Sequence, residues 1–286
     1  MAIKVLVTGA NGQLGKTIKD VSKGVSSAIE FVFVDKFELD ISQHVSLTNL
    51  LKNENFDYCI NCAAYTNVDL AETERDQSNR INAVAVKYLA MACHNYNIVL
   101  IHMSTDYVFD GMKTSPYLES DSTHPINAYG QSKLLGEQSI TEHLERYFII
   151  RTSWLFSKYN GNFVKTIHDK LINNEQLTVI TSQKGVPTSC IDLANFMLYV
   201  IQHEIKDFGI YHYALNGETT WYDLAMHIAR FLNKSSNVTP IESYTSKAKR
   251  PSYSVLSNSK VQLLLNRPMK NWSESVDTVL HILSKA

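Results

Sequence analysis

No apolar run in this sequence is longer than a buried strand requires, so no transmembrane helix is expected. Neither sign of charge is in excess: 27 basic residues stand against 28 acidic ones, a net charge of -1. Nucleic acid and membrane surfaces call for a basic surplus, so neither is expected as a partner. The first residues lack the charged stretch, long apolar segment and small-residue cleavage site of a secretory signal, and a cytoplasmic location is expected. Cysteine is scarce, four in 286 residues. Cys59 and Cys62 form a CxxC, but no second ligand pair accompanies it. These two read as buried thiols on and just after a strand; Cys93 and Cys190 are the other two cysteines. His102 and His124 belong to no metal-like cluster, and no metal site is expected.

What is present is an alternation. Ile3–Val7 is a short β-branched apolar run, the pattern of a strand buried on both faces. A glycine-rich turn follows, then a helical pattern from about Gln13. Further strands are expected at Phe31–Val34, Tyr58–Asn61, Ile98–Met103 and Tyr147–Ile150. Helical spacing falls between them at Val45–Leu51, Arg80–Tyr96 and Tyr129–His143. Such alternation argues for a parallel sheet covered by helices on both faces. Beyond Trp154 the rhythm loosens. Helices are expected at Asn162–Ile172, Asp192–Glu204, Tyr222–Leu232 and Ser275–Leu283, with short strands near Leu177–Ile180 and Gly209–Ala214. Residues 1–154 read as a cofactor-binding domain and 155–286 as a smaller lobe. The boundary is soft, because such lobes interleave with the sheet.

The segment VLVTGANGQLG spaces Gly9, Gly12 and Gly15 three apart, after a strand and at the start of a helix. Glycine permits a tight turn and lets backbone N–H groups approach a pyrophosphate at a helix N-terminus. Gly9, Asn11, Gly12, Gln13, Leu14 and Gly15 are therefore candidate dinucleotide ligands, and the sheet is expected to be a Rossmann-type, doubly wound α/β fold with a C-terminal substrate-binding lobe. Asp35 closes the second strand about 20 residues on, where an acid holds the adenosine ribose and favours NADH. Lys36 beside it suits the 2′-phosphate of NADPH, so both cofactors stay open. Tyr129 and Lys133 lie four apart in a helical pattern and share one face. A free phenol is a poor acid–base group near neutrality, and a nearby ammonium lowers its pKa. Thr105, just past the IVLIHM strand, lies where parallel sheets bind ligands, and its hydroxyl can hold a reacting oxygen.

The glycine turn, Thr105 and the Tyr129–Lys133 pair, in this order, resemble the extended short-chain dehydrogenase/reductase family. MSTDYVFDG (Met103–Gly111), YGQSKLLGE and RTSWLF (Arg151–Phe156) are similar to its dTDP-4-dehydrorhamnose reductase branch. So are NCAAYTNVDLAE (Asn61–Glu72), GNFVKTI (Gly161–Ile167), QKGVPTS (Gln183–Ser189) and RPSYSVLSNSK (Arg250–Lys260). The resemblance implies hydride delivery from NADH or NADPH to C4 of a dTDP-4-keto sugar. It implies Tyr129 as proton donor, Lys133 on the nicotinamide ribose and Thr105 on the C4 carbonyl. Asp106, Tyr107 and Trp154 would line the sugar pocket, with Asn162, Phe163 and Arg250 towards the nucleotide. Asp40 and Ile41 would flank the adenine, and Ala63, Ala64 and Tyr65 would run along the cofactor. Some members of this branch are magnesium-bridged dimers that use a glutamate soon after the glycine turn. Here no carboxylate follows Gly15 before Asp20, so monomer and homodimer both stay open. Two other readings compete. A sugar-nucleotide dehydratase or epimerase that recycles its NAD would carry an acidic pair after the threonine, but Tyr107 follows Asp106. A regulatory subunit like that of methionine adenosyltransferase has no need of an intact Thr105, Tyr129 and Lys133.

Overall fold

A computed structural model describes residues 2–285. Six strands form the central sheet: β1 (Ile3–Thr8), β2 (Ile29–Val34), β3 (Tyr58–Asn61), β4 (Val99–Thr105), β5 (Tyr147–Thr152) and β6 (Gly209–His212). All are parallel, in the order β6-β5-β4-β3-β1-β2. The chain reverses its direction of winding between β1 and β3, and there the carboxyl ends of the strands open a crevice.

The alternation of side chains along each strand builds two cores. Val5 and Val7 face one side with Ile60, Ile101 and Ile150, under α1 (Gln13–Val21). Leu6 faces the other with Cys59, Leu100 and Ile149, under α2 (His44–Glu54) and α3 (Ala85–Asn95). The Cys59 and Cys93 thiols are wholly buried in this second layer. The long helix α4 (Ala128–His143) starts where Asn127 accepts a hydrogen bond from the Gly130 N–H at 2.7 Å.

The later residues build a lobe around α5 (Phe163–Ile172), α7 (Trp221–Phe231) and α8 (Trp272–Leu283), which share a third core with Phe156, Leu177 and Val238. Asn162, Thr220 and Asn271 cap these three helices, and Asn271 forms a capping box with Glu274. The strand at Leu177–Ile180 pairs with Val238–Ile241 in parallel. Not all of this half stays in the lobe. β6 joins the edge of the main sheet, and α6 (Cys190–Gln202) contributes Leu193, Phe196 and Met197 to the core that α1 covers.

Two local departures from the expected pattern shape the site. The helix expected from Arg80 starts at Arg75 and widens into a π-turn over Arg80–Val84. That turn carries the buried Asn82, whose amide bonds both backbone groups of Tyr65 at 2.9 Å and the Ser132 hydroxyl at 2.9 Å. Trp154 adopts φ +48°, a conformation that bulky side chains rarely hold, directly after β5.

Candidate active site

The glycine turn is held by close packing. Gly9 has φ +66°, and a Cβ there would come within 2.7 Å of the Ala63 nitrogen across the crevice. A Cβ on Gly15 would meet the Gly9 carbonyl at 2.5 Å, so α1 and the turn can approach only as bare backbone. α1 has no side-chain cap at Gly12. Its first N–H groups are therefore free to serve an anion, with the positive end of the helix dipole behind them. This bare, cation-like cradle fits the pyrophosphate of a dinucleotide.

Two adjoining cavities run along the crevice. The smaller, about 230 Å³, is lined by Gly9, Asn11, Gly12, Asp35, Asp40, Ile41, Ala63 and Ala64, all candidates from the sequence. Lys36 and Arg80 line it too. Asp35 is committed to its own turn: one carboxylate oxygen accepts from the Phe37 and Glu38 N–H groups and the other from Asn11. The larger cavity, about 550 Å³, brings together Gly12, Gln13, Leu14, Gly15, Thr105, Asp106, Tyr107, Tyr129, Lys133 and Trp154.

The strand β4 delivers Thr105 at its carboxyl end, and α4 presents Tyr129, Lys133 and Glu137 four apart on one face. Tyr107 meets Tyr129 edge to face, with ring centres 6.0 Å apart. Burial pushes the Tyr129 phenol up to about 12, while the Thr105 hydroxyl draws it back part of the way. The expected lowering by a neighbouring ammonium is not found. Lys133 Nζ instead donates to the Met103 carbonyl at 2.6 Å and lies 3.3 Å from His102 Nε2. Burial brings Lys133 down to about 8. Burial also lifts the Asp106 carboxyl to about 7. Asp106 accepts from the Thr105 hydroxyl at 3.1 Å through one oxygen, and its other oxygen is buried without a partner. Beneath the site, Glu137 takes a bidentate ion pair from Arg151, with contacts of 2.7–3.2 Å, and a hydrogen bond from Ser104. That pair is desolvated on both sides and joins α4 to β4 and β5.

Four candidates lie outside both cavity walls. Tyr65 turns its hydroxyl to Glu74 at 2.8 Å. Asn162 spends its amide on capping α5 and on the Ser157 carbonyl. Phe163 packs on Trp221 with ring centres 4.5 Å apart. Arg250 clasps Asp69 at 2.7 and 3.2 Å. Conversely, Trp221 lines the larger cavity, stacked on Trp154 at 3.5 Å with 12° between the planes. Asn160 and Gly161 also reach the wall. The loop around them grips α1: Gln13 bonds the Leu155 carbonyl and the Ser157 hydroxyl, and Asn160 donates to the Asn11 carbonyl at 3.0 Å. Only the GNFVKTI segment marked this loop in the sequence, and nothing marked Trp221.

A parallel sheet with a bare glycine cradle at its switch point, leading to buried Thr, Tyr and Lys side chains, defines a dinucleotide-dependent oxidoreductase of the extended short-chain dehydrogenase/reductase type. Residues 3–285 match the family described as RmlD substrate binding domain, and the chain belongs to that family. The dTDP-4-dehydrorhamnose reductase of Aggregatibacter actinomycetemcomitans is 34% identical, over 96% of this chain and 98% of that protein. The crystal structure of a dTDP-4-dehydrorhamnose reductase from Clostridium acetobutylicum ATCC 824 superposes with a TM-score of 0.93 at 37% identity, covering 99% of this chain and 100% of that one. That of the Bacillus anthracis str. Ames enzyme, solved in complex with NADP, gives 0.92 at 35% identity, covering 98% and 99%.

Proposed function

We propose that the protein is an NAD(P)H-dependent dTDP-4-dehydrorhamnose reductase, which reduces the C4 keto group of dTDP-4-dehydro-6-deoxy-L-mannose to give dTDP-L-rhamnose. The observation that carries this reading is the convergence of Thr105, Tyr129 and Lys133 on one cavity continuous with the glycine cradle. A reduced nicotinamide dinucleotide, when bound, supplies the hydride. Gly9, Gly12 and the first turn of α1 would hold its pyrophosphate. Asp35, Asp40, Ile41, Ala63 and Ala64 would surround its adenosine. Lys36 and Arg80, both cationic and both in that wall, suit a 2′-phosphate, and Asp35 is already engaged in its turn.

Tyr129 acts as proton donor. With its pKa near 12 the phenol is fully protonated at neutral pH, and the proton passes from its oxygen to O4 as C4 is reduced. Thr105 orients O4 against the phenol. Lys133 directs the nicotinamide ribose and offsets charge left on the phenolate. Asp106 and Tyr107 bound the sugar, and the Trp154 face closes the far wall. Arg250 serves the diphosphate by exchanging Asp69 for phosphate oxygens, a swap its planar fork permits. We assign the enzyme to the cytoplasm, as a monomer or homodimer with a small-molecule partner only. No helix among the described residues is long and apolar enough to cross a membrane.

The test is oxidation of NADH and NADPH with and without dTDP-4-dehydrorhamnose. Turnover only with this sugar is expected. Tyr129→Phe is expected to lower kcat by about 10²–10⁴-fold while cofactor still binds. Turnover with a different nucleotide sugar instead would overturn the substrate, and full activity of the phenylalanine variant would overturn the mechanism.

A further inference from the structure

His102 is the one polar side chain in the stretch Val99–Met103, and it is wholly buried. Its register partner on β3 is Asn61, and the partner of Asn61 on β1 is Thr8. Three polar side chains thus form one rung across three buried strands, directly under the crevice. Buried polar groups are costly unless bonded, so the donors and acceptors of this rung must match.

Thr8 Oγ1 donates to Asn61 Oδ1 at 2.6 Å. The Ala63 N–H, which can only donate, meets the same oxygen at 3.3 Å. These two neighbours assign the amide's orientation and turn its NH₂ on to His102 Nδ1, at 3.0 Å. Nδ1 is therefore an acceptor. Burial holds His102 far below its ordinary pKa, so the ring is neutral. A neutral imidazole has one donor and one acceptor nitrogen. Nε2 therefore carries the hydrogen, and it faces Lys133 Nζ at 3.3 Å.

An ammonium has three donors and no lone pair, so it would meet that N–H hydrogen to hydrogen. An amine meets it with its lone pair and still donates to the Met103 carbonyl. We propose that His102 is a positioning residue that weakens the hold of Lys133 on its proton, favouring the amine while Nζ stays in this contact and the ammonium once it leaves for the cavity. The other groups facing Lys133 are Glu137 on its own helix, which favours the ammonium, and the Cys62 thiol beyond β3, which burial keeps uncharged; burial of Lys133 itself opposes the ammonium. Asn61 and Thr8 complete the device by fixing the tautomer. The importance of the Lys133 charge rests on the reductase reading above.

The tautomer can be read without substrate. In ¹⁵N spectra of the full-length protein, with His102 assigned by its loss in His102→Gln, we expect Nε2 protonated and Nδ1 bare. A protonated Nδ1 would overturn the proposal. Asn61→Asp is nearly isosteric and accepts from Nδ1, so it should invert the tautomer and let Nε2 accept from an ammonium. The alkaline limb of kcat/KM, expected near pH 8 in the natural protein, should then move up by about one to three units. His102→Gln, whose amide oxygen can face Nζ, should move it in the same direction. A merely structural histidine would lower stability in both variants and leave the limb in place, which also overturns the proposal. Absence of turnover with the dTDP-sugar would sink the reductase reading and leave the tautomer measurement standing.

Discussion

Asp106 carries one carboxylate oxygen with no partner, shut away from water at the wall of the cavity. Its pKa in the folded protein is about 7, against 3.8 for the free group. The folded state therefore prefers the protonated acid. The stability this gives is fully present below the unfolded pKa and is lost as pH rises through the folded one. Asp106→Asn keeps the shape and removes the titration. Its melting temperature should match that of the natural protein near pH 4, exceed it increasingly up to about pH 7, and hold a constant lead above that. A series of melts across this range checks it, and a lead independent of pH would show that the carboxyl is solvated. Activity should fall in the same variant, because a buried acid that costs stability is retained for what it does to a ligand.

Elements explain which parts of this molecule were legible beforehand. Tyr58–Asn61 and Leu177–Ile180 are strands over the very residues expected, because buried apolar runs between polar turns leave little choice. The glycine turn and the Tyr129–Lys133 pair were legible because all their members lie within one short segment each. The π-turn at Arg80–Val84 was not, since its cause is the pairing of Asn82 with Tyr65 and Ser132 on other elements. Trp221 is a site residue only through its stack on Trp154, 67 positions earlier (221 − 154), and no local spacing encodes that. Tyr65, Asn162, Phe163 and Arg250 rest on resemblance alone, and each is engaged in a structural contact outside the cavity wall. The turn itself yields an element-scale prediction. In Gly15→Ala the new Cβ would collide with the Gly9 carbonyl and the Ala10 backbone, at 2.5 and 2.7 Å, neither of which is a flexible side-chain end. A loss of about 1–3 kcal/mol is expected in denaturant unfolding, with cofactor affinity falling in step as α1 is pushed off the turn.

At the scale of the whole molecule, the two halves share one sheet. The edge strand β6 lies more than 50 residues after Trp154, yet it pairs with β5 from Phe148 to Arg151. His212, at its end, contacts the Arg151 guanidinium at 3.4 Å, so the buried Glu137 pair beneath Lys133 is completed from the second half of the chain. α6 likewise fills the core under α1. We propose that the functional division into cofactor domain and substrate lobe is not a division of folding units. A fragment ending at residue 154 should show no cooperative melt and should bind dyes that report exposed apolar surface, whereas the full chain unfolds in one transition. An independently folded fragment would show that the edge strand is dispensable.

The stacked Trp154–Trp221 pair has an optical consequence. The chain has three tryptophans, and two of them form this stack at the wall of the larger cavity. Indole emission overlaps the absorption band of reduced nicotinamide, so a bound NADH or NADPH would act as an energy acceptor within transfer range. Titrating either cofactor should quench the protein's ultraviolet emission and brighten the blue emission of the nicotinamide, and Trp221→Phe should dim that sensitised signal. The wall that shapes the substrate site would thus serve as a built-in fluorometer for the two cofactors, with no label and no sugar present.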